Sequence, residues 1–146
     1  MPIQDEANLI LRLYELRRDP TMRKARDWYF LEFHPQSVDN INAALFGEHS
    51  GYLRMVWSYW EMAAALVNHG AVNVALFSDT NTEHISTFAK IQPFLAEMRT
   101  SFGPQFASNL EKLIEAIPNG RERVAATQER IKKMRERVAA RTKESA

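Results

Sequence analysis

The stretch between Ser50 and Gly70 constrains this chain more than any other. It carries Met55, Val56, Trp57, Tyr59, Trp60, Met62, Ala63, Ala64, Ala65, Leu66 and Val67, so a helix built on it is apolar on nearly every side. Such a helix needs other helices around it. Arg54 and Glu61 interrupt the run, which is also too short to cross a bilayer. The stretch therefore predicts the central helix of a bundle, closed at His69-Gly70 by a glycine free to take the left-handed conformation.

The rest of the chain is punctuated for helices as well. Ile3 to Leu16 is amphipathic, with Asp5, Asn8, Arg12 and Glu15 on one side and Ile10, Leu13, Tyr14 and Leu16 elsewhere. Pro20 ends it and suits the first position of a second helix, with Asp19 as N-cap and a span to about Phe33. His34-Pro35-Gln36 reads as a connector, and Ser37 caps a short helix that ends near Gly47. Asn73 favours one helical turn over Val72–Phe77, while Thr80-Asn81-Thr82-Glu83 has the form of a capping box. The next helix presents Ile85, Phe88, Ile91, Leu95, Met98 and Phe102 on one side and is expected to kink at Pro93. After Gly103-Pro104, the stripe Phe106, Leu110, Leu113, Ile117 marks another packed helix. The fold class that follows is all-α, a multi-helix bundle of about five to eight helices with a long amphipathic helix at the C-terminus.

Pro118-Asn119-Gly120 separates that last helix, so residues 1–118 read as a helical bundle domain and 119–146 as a basic C-terminal helical extension. The extension has nine Lys/Arg against four Glu, a charge of +5, and the whole-chain charge of +1 leaves −4 for the rest. Val124, Ile131 and Val138 recur seven residues apart, with Met134 between them, a stripe that needs a surface to lie on. That surface is either the acidic body of the same chain, which the charge split favours, or the same helix of a second subunit, the reading preferred because a heptad stripe can be satisfied by its own copy.

Few classes of chemistry find residues here. Without cysteine there are no disulfides, thiolate metal sites or cysteine nucleophile. His34, His49, His69 and His84 are 15, 20 and 15 residues apart, so no two share a helix face, and no Glu-x-x-His pair occurs. No metal and no cofactor is therefore expected. Five glycines form neither a phosphate loop nor a Gly-x-Ser-x-Gly elbow. The carboxylate pairs Asp79/Glu83 and Glu111/Glu115 fall where solvated or capping residues belong. The acidic start, Asp5-Glu6, lacks the positive charge of a secretory signal, and a cytoplasmic location is expected.

Glu61 stands out, because a carboxylate beside Trp60 in the most apolar helix needs a partner. One reading pairs it with an arginine of Arg23-Lys24-Ala25-Arg26 or with a tryptophan indole. The other makes it the polar anchor of a ligand pocket walled by Trp57, Trp60, Phe88 and Phe94.

The segments Leu13-Tyr14-Glu15-Leu16-Arg17-Arg18, Met22-Arg23-Lys24-Ala25-Arg26-Asp27-Trp28 and Trp60-Glu61-Met62-Ala63, followed by Leu66-Val67-Asn68-His69-Gly70, resemble a family of uncharacterised bacterial all-helical proteins known only as a domain of unknown function. The resemblance covers about residues 9–117. Members are often drawn with a membrane helix ahead of this region, and none is expected in this sequence. The resemblance implies the helical fold and assigns no activity or functional residue.

Three functions remain in view. The first is a non-enzymatic interaction or scaffold protein that forms a homodimer through Val124, Ile131, Met134 and Val138. The second is binding of nucleic acid or an anionic surface by the basic extension, against which four interleaved glutamates and the lack of an aromatic in the extension both count. The third is a small-ligand binder around Glu61.

Overall fold

The computed structural model describes residues 2–145, so the two chain ends assigned above to the domains, Met1 and Ala146, lie outside the described residues. The chain folds into α1 (Ile3–Arg17), α2 (Pro20–Leu31), α3 (Val38–Leu45), α4 (Ser50–Asn68), α5 (Val74–Thr80), α6 (Glu83–Ile91), a 3-10 turn (Gln92–Phe94), α7 (Leu95–Phe102), α8 (Ser108–Ala116) and α9 (Gly120–Ser145). The fold is all-α, and no strand occurs among the described residues. No described helix is long and apolar enough to cross a membrane.

Local signals account for most boundaries. The Asp19 side chain accepts from the N–H groups of Thr21 and Met22, with Pro20 at the first helical position. Ser37 accepts from the Asn40 N–H and Asn73 from the Leu76 N–H. Gly70 ends α4 at φ +86°, where a side chain would be strained. Pro93 breaks the helix around it into α6, a 3-10 turn and α7. Two expectations shift. Thr80 caps nothing, because its hydroxyl bonds back to the Leu76 and Phe77 carbonyls within α5, and α6 starts at Glu83 after Thr82. Phe106 precedes α8 instead of belonging to its stripe.

The core is one cluster. α4 lies against α2 and α8 and also touches α3, α5 and α6, burying Leu53, Val56, Tyr59, Trp60, Ala63, Ala64 and Val67. One side of it, Arg54, Ser58 and Met62, faces solvent. α6 is enclosed more completely, with His84, Ile85 and Thr87–Ile91 all buried, because α9 lies along the side that α4 and α8 leave open. Polar bonds tie the outer helices in: the Tyr59 hydroxyl donates to the Leu13 carbonyl at 2.5 Å and the Tyr29 hydroxyl to the Thr87 carbonyl at 2.8 Å.

Candidate functional site

The place to begin is Glu61. α8 starts at Ser108 after Ala107, which sits in the left-handed region at φ 55° and has no side-chain acceptor to offer the first amides of the helix. Glu61 reaches across from α4 and supplies it. Its two carboxylate oxygens accept the N–H groups of Asn109 and Leu110, each at 2.9 Å. A carboxylate at a helix N-terminus satisfies orphan donors and also meets the positive end of the macrodipole. The Asn68 amide adds a bond of 2.9 Å to the Asn109 carbonyl. The partner of Glu61 is thus backbone, neither an arginine nor an indole. Arg26 bonds instead to Glu83, Nε to Oε2 at 3.0 Å, and Arg17 lies 3.9 Å from the same carboxylate.

Beside Glu61 opens a cavity of about 290 Å³, lined among others by Trp57, Phe102, Phe106 and Leu110. The Trp57 ring meets Phe106 edge-on at 5.2 Å, and its indole N–H donates to the Tyr29 hydroxyl at 3.3 Å. Of the five residues read as a ligand pocket, Glu61 and Trp57 share this cavity. Trp60 is fully buried on another side of α4, against Tyr59, Phe77 and His84. Phe88 is buried in the core, and Phe94 faces a different cavity alongside α9. The pocket is therefore chiefly apolar, with its one carboxylate already engaged by α8. Among the described residues no three His, Asp or Glu side chains converge as a metal-holding group.

The second candidate region is α9. Asn119 turns the chain at φ 55°, and Gly120 lies so close to α8 that a Cβ there would sit 1.8 Å from the Ile114 carbonyl oxygen. That approach lays the first turns of α9 on α6 and α8 and buries Val124 and Thr127. Gln128 fastens the contact, donating to the Ala89 carbonyl at 3.1 Å and to Gln92 Oε1 at 2.8 Å. Beyond it the helix leaves the body: Ile131 is half-buried, and residues 132–145 are exposed. Of the four residues read as a seam, Val124 is therefore used within the chain, while Ile131, Met134 and Val138 line a groove of about 370 Å³ with Phe30 and Leu31 of α2.

Sequence reading missed two buried titratable groups on α6, Lys90 and His84. Lys90 is 7% exposed and His84 is fully buried. Their signal was present only as a lysine and a histidine within a helix whose apolar stripe accounted for one side. That the other sides are covered too depends on α2, which receives Lys90, on Trp60 and Phe77, which enclose His84, and on α9.

A family profile spans residues 2–117, which is most of the chain. The chain belongs to the DUF4760 family, a domain of unknown function. The DUF4760 match takes in α1 to α8 and stops at the residue after α8, so α9 lies outside it. No curated protein and no solved structure matches the chain.

Proposed function

We propose that this DUF4760 chain is a non-enzymatic helical interaction module that self-associates through the distal part of α9. The observation that carries the reading is the groove between α2 and α9. Leu31 of α2 and Met134 and Val138 of α9 are 72%, 61% and 63% exposed and stand together with Phe30 and Ile131 along the groove between the two helices. An apolar row presented in this way is the usual form of a helix-docking surface.

The occupant we infer is a second copy. Among the described residues, Arg121 is the only one of the nine Lys/Arg of 119–146 with a carboxylate within 4.0 Å, that of Glu115. Beyond that pair the excess positive charge of this segment meets no carboxylate within 4.0 Å among the described residues, while the remainder of the chain carries −4. α1 offers an exposed apolar row, Ile3, Leu11 and Tyr14 at 56%, 59% and 51%, and its three carboxylates, Asp5, Glu6 and Glu15, against Arg12 and Arg17 leave the helix at −1. Two α9 helices laid parallel and in register would set Arg130 and Arg137 of one against Arg135 of the other, so charge favours α1 of one copy in the groove of the other over that pairing. If the exchange is reciprocal, the assembly closes as a two-fold dimer; if not, it extends. The division into a bundle and an extension belongs to this reading, and the end of the DUF4760 match at residue 117 supports it.

Light scattering of the full chain across a concentration series tests the proposal. A mass above the monomer is expected, falling as salt is raised. The double variant Met134→Asp, Val138→Asp, at two exposed positions, should be monomeric with unchanged helicity. A monomer at every concentration, or a double variant that keeps the assembled mass, overturns it.

A further inference from the structure

Lys90 has an unusual setting for a buried ammonium. Its Nζ donates to the Tyr29 and Phe33 carbonyls, both at 2.6 Å, and lies 3.3 Å from His34 Nδ1. It stands over the Tyr29 and Phe30 rings at 5.2 and 5.7 Å. The charge closes the C-terminal end of α2, where the macrodipole is negative. Among the described residues, however, no carboxylate lies within 4.0 Å of it. Buried charges are ordinarily paired with an opposite charge.

The lysine borders a cavity of about 380 Å³, within the size range of small-ligand sites. Lys132 and Arg135 enter it from α9, His34 and Gln36 from the α2–α3 connector, and Glu129 is the one acidic residue of its lining. With its carbonyl oxygen turned to the guanidinium, Gln36 accepts from Arg135. Cations face cations here. Burial pulls the Lys90 amine down to about 7, and Arg135 adds to the fall. His34 is lowered by burial, then by Lys90, with a smaller contribution from Arg135, against a bond to the Leu31 carbonyl that raises it.

We propose that this cavity is a binding site for a small oxyanion, a phosphate or a small polycarboxylate, held by Arg135 and Lys132 with Lys90 supplying positive potential from its floor. An anion there would relieve the repulsion among the three cations and gain charge-assisted hydrogen bonds, the stronger kind. It would also join the distal part of α9 to α2, because each contributes one wall.

Calorimetric titration of the full-length protein with sodium phosphate and, separately, sodium citrate, against sodium chloride at matched ionic strength, tests this. One saturable site is expected for at least one of the two anions. Arg135→Gln and Lys132→Gln, both exposed and outside the core, should each weaken it about tenfold, which is the loss of one charge-assisted contact. Lys143→Gln, on the same helix but away from the cavity, should leave it unchanged. Binding of phosphate alone marks a phosphate ligand, of citrate alone a polycarboxylate, and either supports the site. No saturable binding of either anion, a response that chloride reproduces, or equal affinity in the Arg135→Gln, Lys132→Gln double variant overturns it. The readout is anion binding, so it stands or falls independently of the self-association.

Discussion

Glu61 on α4 holds the Leu110 N–H on α8 at 2.9 Å, so the N-terminus of one helix is capped by a side chain from another. Ala107, at the N-cap position, has nothing to do this with. Glu61→Ala is therefore expected to destabilise the fold by roughly 1–3 kcal/mol, the cost of two lost charge-assisted bonds at a half-buried site. Glu61→Gln should cost less, since one amide oxygen can still accept while its NH₂ faces the second N–H. Urea denaturation of the three proteins decides, and an unchanged midpoint for the alanine variant would refute the capping role.

Gly120 makes the corresponding prediction for α9. A Cβ there falls 1.8 Å from a backbone oxygen of α8, which cannot yield as a flexible side chain would. Gly120→Ala should cost roughly 1–3 kcal/mol through forced displacement of α9. Gly51, with open space around it inside α4, provides the contrast: Gly51→Ala should be neutral or stabilising by up to about 1 kcal/mol. The Gly120→Ala melt should fall while the Gly51→Ala melt holds or rises.

His84 predicts an acid-sensitive core. Both its ring nitrogens are buried and unpartnered, and the ring packs between Phe77 and Trp60. Burial lowers its pKa to about 4, with Arg123 contributing. The unfolded chain, with an ordinary histidine, therefore binds the proton first as pH falls below about 6.5. This stability is fully present above that pH and is lost progressively down to about 4, at most roughly 3 kcal/mol. His84→Leu should flatten the dependence of stability on pH in that window. A wild-type stability equal at pH 7 and pH 4.5 would contradict the assignment.

Truncation should separate the two parts of α9. Deleting 132–146 removes only residues at exposed positions or beyond the last described residue, and, at a dilution where the full chain is monomeric, should change the melting temperature by no more than about 2 °C. Deleting 120–146 takes away Val124, Thr127 and Gln128 and uncovers α6. Loss of the Val124 burial alone is worth roughly 1.5–3 kcal/mol, so the melt should fall by at least about 4 °C. Equal melts for both deletions would show that the proximal turns of α9 contribute nothing to the body.

What the residue order by itself determined about this protein is its local grammar. Asp19, Ser37 and Asn73 cap the helices that follow them, Gly70 ends α4 and Pro93 interrupts the α6–α7 segment, because each acts through its own backbone or the next few residues. The same holds for the apolar density of α4, which had to be enclosed wherever the other helices went. The α2–α3 connector was also legible, because Pro35 bars the residue before it from the helix. Tertiary structure decided everything that requires two distant segments to meet. Glu61 was recognisable as a carboxylate in need of a partner, but that its partners are the amides of α8, some 48 residues on, depends on how α4 and α8 cross. Lys90 is buried against the C-terminal end of α2 and His84 between Trp60 of α4 and Phe77 of α5, with α9 covering the remaining side of α6, and the cavity beside Lys90 takes its second wall from α9 as it continues past the connector. Periodicity shows that a helix has an apolar face. Which neighbour covers that face, and which polar groups are trapped beneath it, follows from packing energies summed over many contacts, and no short stretch of sequence records that sum.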